Sequence, residues 1–387
     1  MREVFAAFLK LGLTSFGGPV AHLGYFHQEF VVRRKWLDND AYADLVALCQ
    51  FLPGPSSSQV GIALGLSRAG LGGALAAWVA FSLPSALLLM AFAAGLDSFG
   101  DVLGAGGLHG LKLAAVAVVA LAIFTMARAL PPDRLRGLLV GGATAIALVL
   151  PSAVGQIGAI LLGAVAGMAW CRGETSQGPA HLSVSVSRKA AVAALVVFFA
   201  LLLALPVLAA ALSSHALTLF ATFYRVGSLV FGGGHVVLPL LQAEVVVPGW
   251  VGNDAFLAGY GAAQAIPGPL FSFAAYLGMV MGPPPNGWAG AALCLVAIYL
   301  PSLLLVIGVL PFWDGLRRSV WTQAALRGVT AAVVGLLIAA FYQSMWAVAI
   351  RDSADFALAL AAFLLLFLWR TPPWLVVGLC AAAGALL

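Results

Sequence analysis

The chain is written twice, and that duplication constrains the fold more than any other feature. Phe8-Leu-Lys-Leu-Gly-Leu-Thr-Ser-Phe-Gly-Gly-Pro19 aligns with Phe223-Tyr-Arg-Val-Gly-Ser-Leu-Val-Phe-Gly-Gly-Gly234. Five residues are identical, and Lys10 faces Arg225. Glu29 then faces Glu244, and Trp36-Leu-Asp-Asn-Asp-Ala41 faces Trp250-Val-Gly-Asn-Asp-Ala255. Gln50-Phe-Leu-Pro-Gly-Pro55 faces Gln264-Ala-Ile-Pro-Gly-Pro269. Further on, Leu83-Pro-Ser85 faces Leu300-Pro-Ser302, and Leu108-His-Gly110 faces Leu326-Arg-Gly328. The offset stays between 214 and 218 throughout, and chance matches in an Ala/Leu/Gly-rich chain do not keep one order and one spacing. The expected organisation is a first repeat over 1–170, a polar linker with one extra apolar helix over 171–215, and a second repeat over 216–387.

Composition says where such a chain lives. Charged residues are 9% of the 387 and hydrophobic ones 63%, against roughly 25% charged in soluble domains. A chain this poor in charge cannot clothe itself in water, so an all-α polytopic membrane protein is expected, with the lipid bilayer as its surroundings. A cytosolic enzyme, a nucleic-acid binder and a disordered scaffold are excluded. The net charge of +5 is small and reads through topology rather than as a polyanion-binding surface. Cys49, Cys171, Cys294 and Cys380 are scattered, suggesting neither a metal site nor a disulfide framework. No cleavable signal peptide is expected: Lys10 interrupts the first apolar run, which leads into a Gly-Gly-Pro break.

Charge asymmetry orients the halves, because cytoplasmic loops carry excess Lys and Arg. Arg33-Arg34-Lys35 is basic where its counterpart, Val247–Val251, has no positive charge. Asp97–Asp101 is acidic where Asp314–Arg318 is basic. Matching loops therefore lie on opposite sides, and the lone span at about 190–212 supplies the odd crossing. Two inverted-topology repeats follow, an arrangement that in secondary transporters puts the substrate site near the midplane between the repeats. Full spans are expected near 72–96, 107–128, 137–150, 152–170, 190–212, 288–311, 325–347, 355–370 and 373–387, several shorter than the usual ~20 residues. The Gly-Gly and Pro-Gly-Pro segments have short apolar arms on both sides of a breaker and read as broken or re-entrant helices.

Pro53-Gly54-Pro55 and Pro267-Gly268-Pro269 stop any helix. Gly17-Gly18 and Gly232-Gly233 permit unusual backbone angles and close approach. Broken backbone at membrane depth persists only inside protein or along a watery cavity. A half-helix starting there points free N–H groups and the positive end of its dipole inward, which suits an oxyanion. Ser56, Ser57, Ser58 and Gln59 follow one break and Ser272 the other. The plain alternative is proline kinks that only shape packing; four breaks at matched positions weigh against it.

Lys10 and Arg225 are the sharpest charged pair, each two residues before a matched glycine. An ionised side chain in an apolar segment costs at least ~2.5 kcal/mol and is kept for a partner or a substrate. Snorkelling of Lys10, or bridges from Lys10 to Glu29 and from Arg225 to Glu244, are the structural readings. Glu29 and Glu244 could instead exchange protons, and Asp44 is an unmatched candidate for the same work. Asp40 and Asp254 read as helix caps. His22, His27 and His235 lie near the glycine breaks, where a packed core role is the commoner one. Lys112 and Arg327 could each snorkel, and Lys112 could instead line the cavity. No HExxH, GxSxG or phosphate-loop motif occurs, and no cofactor or metal is implied.

The pattern Lys-x-Gly-x-x-x-Phe-Gly-Gly-Pro, then Trp…Asp, then Gln-x-x-Pro-Gly-Pro, written twice, resembles the chromate ion transporter family in its long two-domain form. The resemblance covers almost the whole chain and implies efflux of chromate across the inner membrane, giving chromate resistance. Sulfate would be the isosteric competitor and the proton motive force the energy source. It places the motif residues Lys10, Gly12, Phe16, Gly17, Gly18, Pro19, Gln50, Pro53, Gly54 and Pro55 in one half-site. Arg225, Gly227, Phe231, Gly232, Gly233, Gln264, Pro267, Gly268 and Pro269 form the other. Gly234 stands where the first half has Pro19, so the half-sites need not bind alike. The chemistry agrees: opposed half-helix N-termini with Lys10, Arg225, Ser56, Ser57 and Ser272 suit a tetrahedral dianion, while Glu29 or Glu244 would take a proton as it leaves. An exporter of another small anion and a passive anion channel are the alternatives. A membrane-embedded enzyme is a third reading, against which the lack of clustered acids and histidines counts. The sequence admits a homodimer without specifying one.

Overall fold

A computed structural model describes residues 1–131, 133–150, 152–171, 186–231 and 237–386. The described residues are helical or connecting, with no strand among them. The first repeat contains α1 (Arg2–Thr14), α2 (Gly18–Phe26, running on in a π turn His27–Arg33), α3 (Asn39–Phe51), α4 (Ser56–Ala94), α5 (Leu96–Ala129), α6 (Arg134–Val149) and α7 (Ala153–Trp170). The connecting helix is α8 (Arg188–Leu212). The second repeat contains α9 (His215–Leu229), α10 (Val237–Val245), α11 (Asn253–Ala265), α12 (Phe273–Val280), α13 (Gly287–Val309) and α14 (Trp313–Arg318). It ends with α15 (Val320–Ala340), α16 (Ala347–Ala349), α17 (Ser353–Phe367) and α18 (Pro373–Leu386). Among the described residues, five helical stretches are long and apolar enough to cross a membrane: Ser56–Ala94, Gly106–Ala129, Arg188–Leu212, Gly287–Arg318 and Val320–Ala349.

Helix α4 is longer than the span expected at 72–96, and its geometry explains why. Its 39 residues would stretch about 58 Å if straight. At Ala69 and Gly70 the backbone leaves helical angles, with φ of 61° at Gly70. The chain folds back there: Gly65 lies against Gly73 and Ala77, close enough that a side chain on either glycine would collide. The first arm therefore belongs to the Pro-Gly-Pro hairpin with α3, and only the second arm runs on alone.

In each repeat a tryptophan gathers the ends of several of these helices. In the first, Glu3 at the start of α1 accepts hydrogen bonds from Arg34 and from Trp36 Nε1, both at 3.3 Å. Arg68, at the far end of the first arm of α4, reaches the same carboxylate at 3.5 Å and lies over the Trp36 ring. In the second repeat, His215 at the start of α9 packs edge-on against Trp250, 4.9 Å between ring centres. Gly282 N, just beyond α12, donates to the Trp250 carbonyl at 3.1 Å.

The breaks of one repeat are held by the breaks of the other. Gly54 N donates to the Val230 carbonyl at 2.7 Å, and Gly268 N donates to the Ser15 carbonyl at 2.9 Å. These bonds are exchanged images of each other, since Gly54 matches Gly268 and Ser15 matches Val230. Both glycines have positive φ, 124° and 105°. A Cβ on Gly54 would lie 2.5 Å from Ser302 Oγ, and one on Gly268 would lie 2.8 Å from Ser85 Oγ. The two serines are themselves matched.

The end helices are exchanged as well. α17 and α18 of the second repeat pack on α5 of the first, while α6 and α7 of the first pack on α15 of the second. Small residues let the backbones touch: Gly106 and Gly110 against Gly384 and Cys380, and Gly328 against Gly163 and Gly167. α8 has no counterpart. It lies across α9 and α13, with Tyr224 OH donating to the Phe198 carbonyl at 3.0 Å.

Two predictions follow from this geometry. Single cysteines at Lys35 and Arg318 should label from the cytoplasmic face, and those at Asp97 and Gly252 from the opposite face. Labelling of Lys35 and Gly252 from the same side would contradict the inverted arrangement. Gly54→Ala and Gly268→Ala should each cost about 1–3 kcal/mol, because backbone angles reserved for glycine are strained by any side chain. That loss reads as a lower Tm in detergent, with Gly141→Ala, inside α6 where a Cβ meets open space, as the control that loses no stability.

Candidate oxyanion site at the seam between the repeats

Around the exchanged backbone bonds lies a layer of buried polar side chains. Ser15, Ser57, Ser58, Gln59, Ser82, Ser85, Ser272 and Ser302 are all 2% exposed or less. Ser85 Oγ donates to Ser272 Oγ at 2.7 Å across the repeats. Gln59 Nε2 donates to the Pro53 carbonyl at 2.6 Å, tying down the Pro-Gly-Pro turn. The Tyr299 hydroxyl stands near Ser58, Ser82 and Ser272, without a hydrogen bond of full geometry. Among the described residues, Ser15 Oγ, Ser58 Oγ, Gln59 Oε1, Ser82 Oγ, Tyr299 OH and Ser302 Oγ are buried with no hydrogen-bond partner. Buried hydroxyls left unpaired cost roughly 1–3 kcal/mol each. Several together in one layer mark a place built for something polar.

The local sequence explains how these groups arrive there. Pro55 starts α4, so Ser56, Ser57 and Ser58 form its first turn. The first intrahelical bond there is from Gln59 N to the Pro55 carbonyl, at 2.9 Å. The preceding amides are the ones a helix start leaves over. The second repeat differs: Leu270–Ser272 form a 3-10 turn before α12 begins at Phe273. Ser272 therefore sits before its helix, whereas Ser58, its match, sits inside one.

The structure distributes the sequence-derived candidates unevenly. It brings Pro53, Gly54, Pro55, Ser57, Pro267, Gly268, Pro269 and Ser272 to the seam, with Ser56 beside them. Gly17 and Gly18, at φ of 95° and 78°, make the break that starts α2. Gly232 and Gly233 lie outside the described residues, as do Gly234 and His235. Gln50 is exposed, whereas its match Gln264 is half-buried with Nε2 unpaired.

Among the charges, Arg225 and Glu244 do form the expected bridge, with Nη2 2.7 Å from both carboxylate oxygens. They line an open cleft of about 330 Å³ walled by Pro206, Ala209 and Ala210 of α8 and by Trp250. The bridge expected between Lys10 and Glu29 does not form. Lys10 is exposed on α1 because no helix covers the first repeat as α8 covers the second. Glu29 instead binds Arg33 at 2.9 Å and Arg34 at 2.6 Å. Burial works against that carboxylate, but Arg34 and Arg33 outweigh it and hold its carboxyl below the ordinary range. Asp44 meets Arg317 of the other repeat at 3.0 Å.

Two capping expectations are corrected. Asp38, not Asp40, caps α3, accepting from Ala41 N at 2.8 Å. Asp254 does not cap α11, whose cap position is Gly252; it pairs with buried Lys112 at 2.5 Å. Arg327 binds the Cys171 carbonyl at 3.0 Å. Sequence reasoning passed over Ser15, Ser82, Ser85, Tyr299 and Ser302, although Leu-Pro-Ser was visible as a matched motif. It also missed the buried His109–Asp355 contact, 2.8 Å, which joins α5 to α17.

Comparison with known proteins identifies the family. A family model described as "Chromate transporter" matches residues 2–216 and again 217–385. A "Chromate transport protein" of Pseudomonas aeruginosa is 28% identical, covering 99% of this chain and 91% of that relative. One of the same description from Cupriavidus metallidurans is 26% identical over 98% of this chain and 91% of its own length. An uncharacterized transporter of Methanocaldococcus jannaschii is 27% identical over 87% of this chain and 82% of its own length. No solved structure matches. A membrane chain whose two halves each match that model, end to end, belongs to the chromate transporter family.

Proposed function

We propose that this chain is a secondary transporter of the inner (plasma) membrane that exports chromate from the cytoplasm. Sulfate competes for the same site, and the proton motive force supplies the energy. The observation that carries this reading is the seam itself. Two broken-helix turns are held by each other's backbone, inside a shell of hydroxyls several of which, among the described residues, lack partners. The four hairpins that meet there are re-entrant, each entering and leaving by one face of the bilayer. A tetrahedral oxyanion presents acceptors in all directions, which hydroxyls and leftover helix-start amides satisfy together. Rocking of one repeat against the other would open the seam first to one side and then to the other.

Charge balance falls to Arg225 and, after movement, Lys10. Glu244 holds Arg225 in the structure. An oxyanion that draws the guanidinium away leaves Glu244 free to take a proton, the reverse of the order expected from the sequence. Glu29 and Asp44 are likewise held by arginines, so a proton exchanged at either requires its pair to open. Expelling a dianion from a negative interior is favourable by ~2.3 kcal/mol per charge per 100 mV. The electrical part of the proton motive force therefore already points outward for this substrate.

Uptake of chromate and sulfate into inverted vesicles with an imposed potential and pH gradient tests the reading. Concentrative chromate uptake, inhibited by sulfate and abolished by an ionophore, is the expected outcome. Equilibration without accumulation would make the chain a channel, and uptake of some other anion alone would change the substrate. Arg225→Gln should abolish flux while the protein still reaches the membrane. Arg225→Lys should retain part of it, since charge is kept and the planar fork lost. Normal flux by both Arg225→Gln and Lys10→Gln would remove the cations from the site.

A further inference from the structure

His22 stands in α2, one turn past the Gly17-Gly18 break, and is 1% exposed. Its ring lies edge-on to Phe81, 5.4 Å between centres. Nδ1 is 3.3 Å from Ser57 Oγ, in the first turn after Pro-Gly-Pro. The Ser15 backbone is its other neighbour, and the Ser15 carbonyl is the one that Gly268 of the second repeat binds. Among the described residues Nε2 has no hydrogen-bond partner. The imidazole is therefore at the seam, with one nitrogen on a proposed oxyanion ligand and the other unused.

No acid serves it. On the surrounding elements, Glu29 is held by Arg33 and Arg34, and His27 by Asn39 at 2.7 Å. Tyr42 donates to the Leu23 carbonyl at 2.6 Å, and Cys49 is a buried thiol. Lys10 is exposed, and Arg68, at the far end of its arm, is bound to Glu3. A buried imidazole without a counter-charge stays neutral, and a dianion seated beside Ser57 would supply that counter-charge. By linkage, the anion then draws a proton onto His22, and the proton strengthens the hold on the anion.

We infer that His22 is an oxyanion ligand that gains one proton from water on the loading side as the anion binds, and gives it back where the anion leaves. The proton adds at the free ring nitrogen; no other bond forms or breaks. The matched position in the second repeat is Val237, buried and unable to titrate, so the second repeat has no copy of the device at that position.

This inference rests on the oxyanion reading, and sulfate is the probe because it stays doubly charged through the neutral range. Calorimetric binding to the purified full chain, in two buffers of different ionisation enthalpy between about pH 6 and 8, counts protons taken up per sulfate. Each coupled proton also makes Kd rise about tenfold per pH unit. The native protein should take up one proton more than His22→Gln and His22→Asn, and its Kd should be steeper in pH by that one proton. Equal proton uptake by native and variant proteins overturns the role of His22 while leaving oxyanion binding intact. No binding of sulfate or chromate to the native protein overturns both. Should neither variant fold, native protein with 15N-labelled histidines decides it. Among its six imidazoles, one should become doubly protonated on adding sulfate, and an unchanged spectrum overturns the assignment.

Discussion

A helix broken inside a membrane leaves peptide groups that lipid cannot satisfy, and the rest of this structure depends on where those groups go. They go to the other repeat. Gly54 N binds the Val230 carbonyl and Gly268 N binds the Ser15 carbonyl, so neither half can complete its break alone. This explains why both glycines occupy positive φ, and why matched serines, Ser302 and Ser85, crowd the space a side chain would need. The bonds are short and backbone-made, yet the shell around them is left partly unpaired. That combination suits a seam that holds together and still has unmet hydrogen-bonding capacity for an oxyanion.

The exchange of end helices extends the same logic outward. α5 is gripped by α17 and α18, and α15 by α6 and α7, through glycine contacts that allow backbone to lie on backbone. Among the described residues, three contacts between ionisable side chains also cross between the repeats: Asp44–Arg317, Lys112–Asp254 and His109–Asp355. They differ in weight. Arg317 is 5% exposed, and removing a partner from such a buried pair costs about 3–5 kcal/mol. Asp254 is 75% exposed, so solvent screens the Lys112 pair and it contributes far less.

Much of this was legible in the sequence because a duplication with inverted charge leaves a written record. The matched Pro-Gly-Pro triplets and the first Gly-Gly pair located breaks, and low charge located the bilayer. What escaped was pairing between matched motifs. Sequence alignment sets Gly54 beside Gly268, whereas in space each faces the opposite repeat's other break. The seam serines of Leu83-Pro-Ser85 and Leu300-Pro-Ser302 were visible only as repeat markers, since a serine inside an apolar helix says nothing of which neighbour it meets. Lys10 and Arg225 look equivalent in sequence and are not in space, because α8 covers one repeat and has no copy to cover the other. Asp40 and Asp254 carried the spacing of caps, but capping depends on the backbone angles of one residue, and Asp38 and Gly252 hold those positions.

The central claim is that the seam between the repeats is the path of the anion. Ser85 and Ser272 face each other across it at 2.7 Å, near enough for a disulfide between cysteines placed there. With the four native cysteines replaced, the Ser85→Cys/Ser272→Cys protein should cross-link under mild oxidation. The cross-linked form should carry no chromate in inverted vesicles, and reduction should restore transport. Full transport by protein that is demonstrably cross-linked would contradict the account.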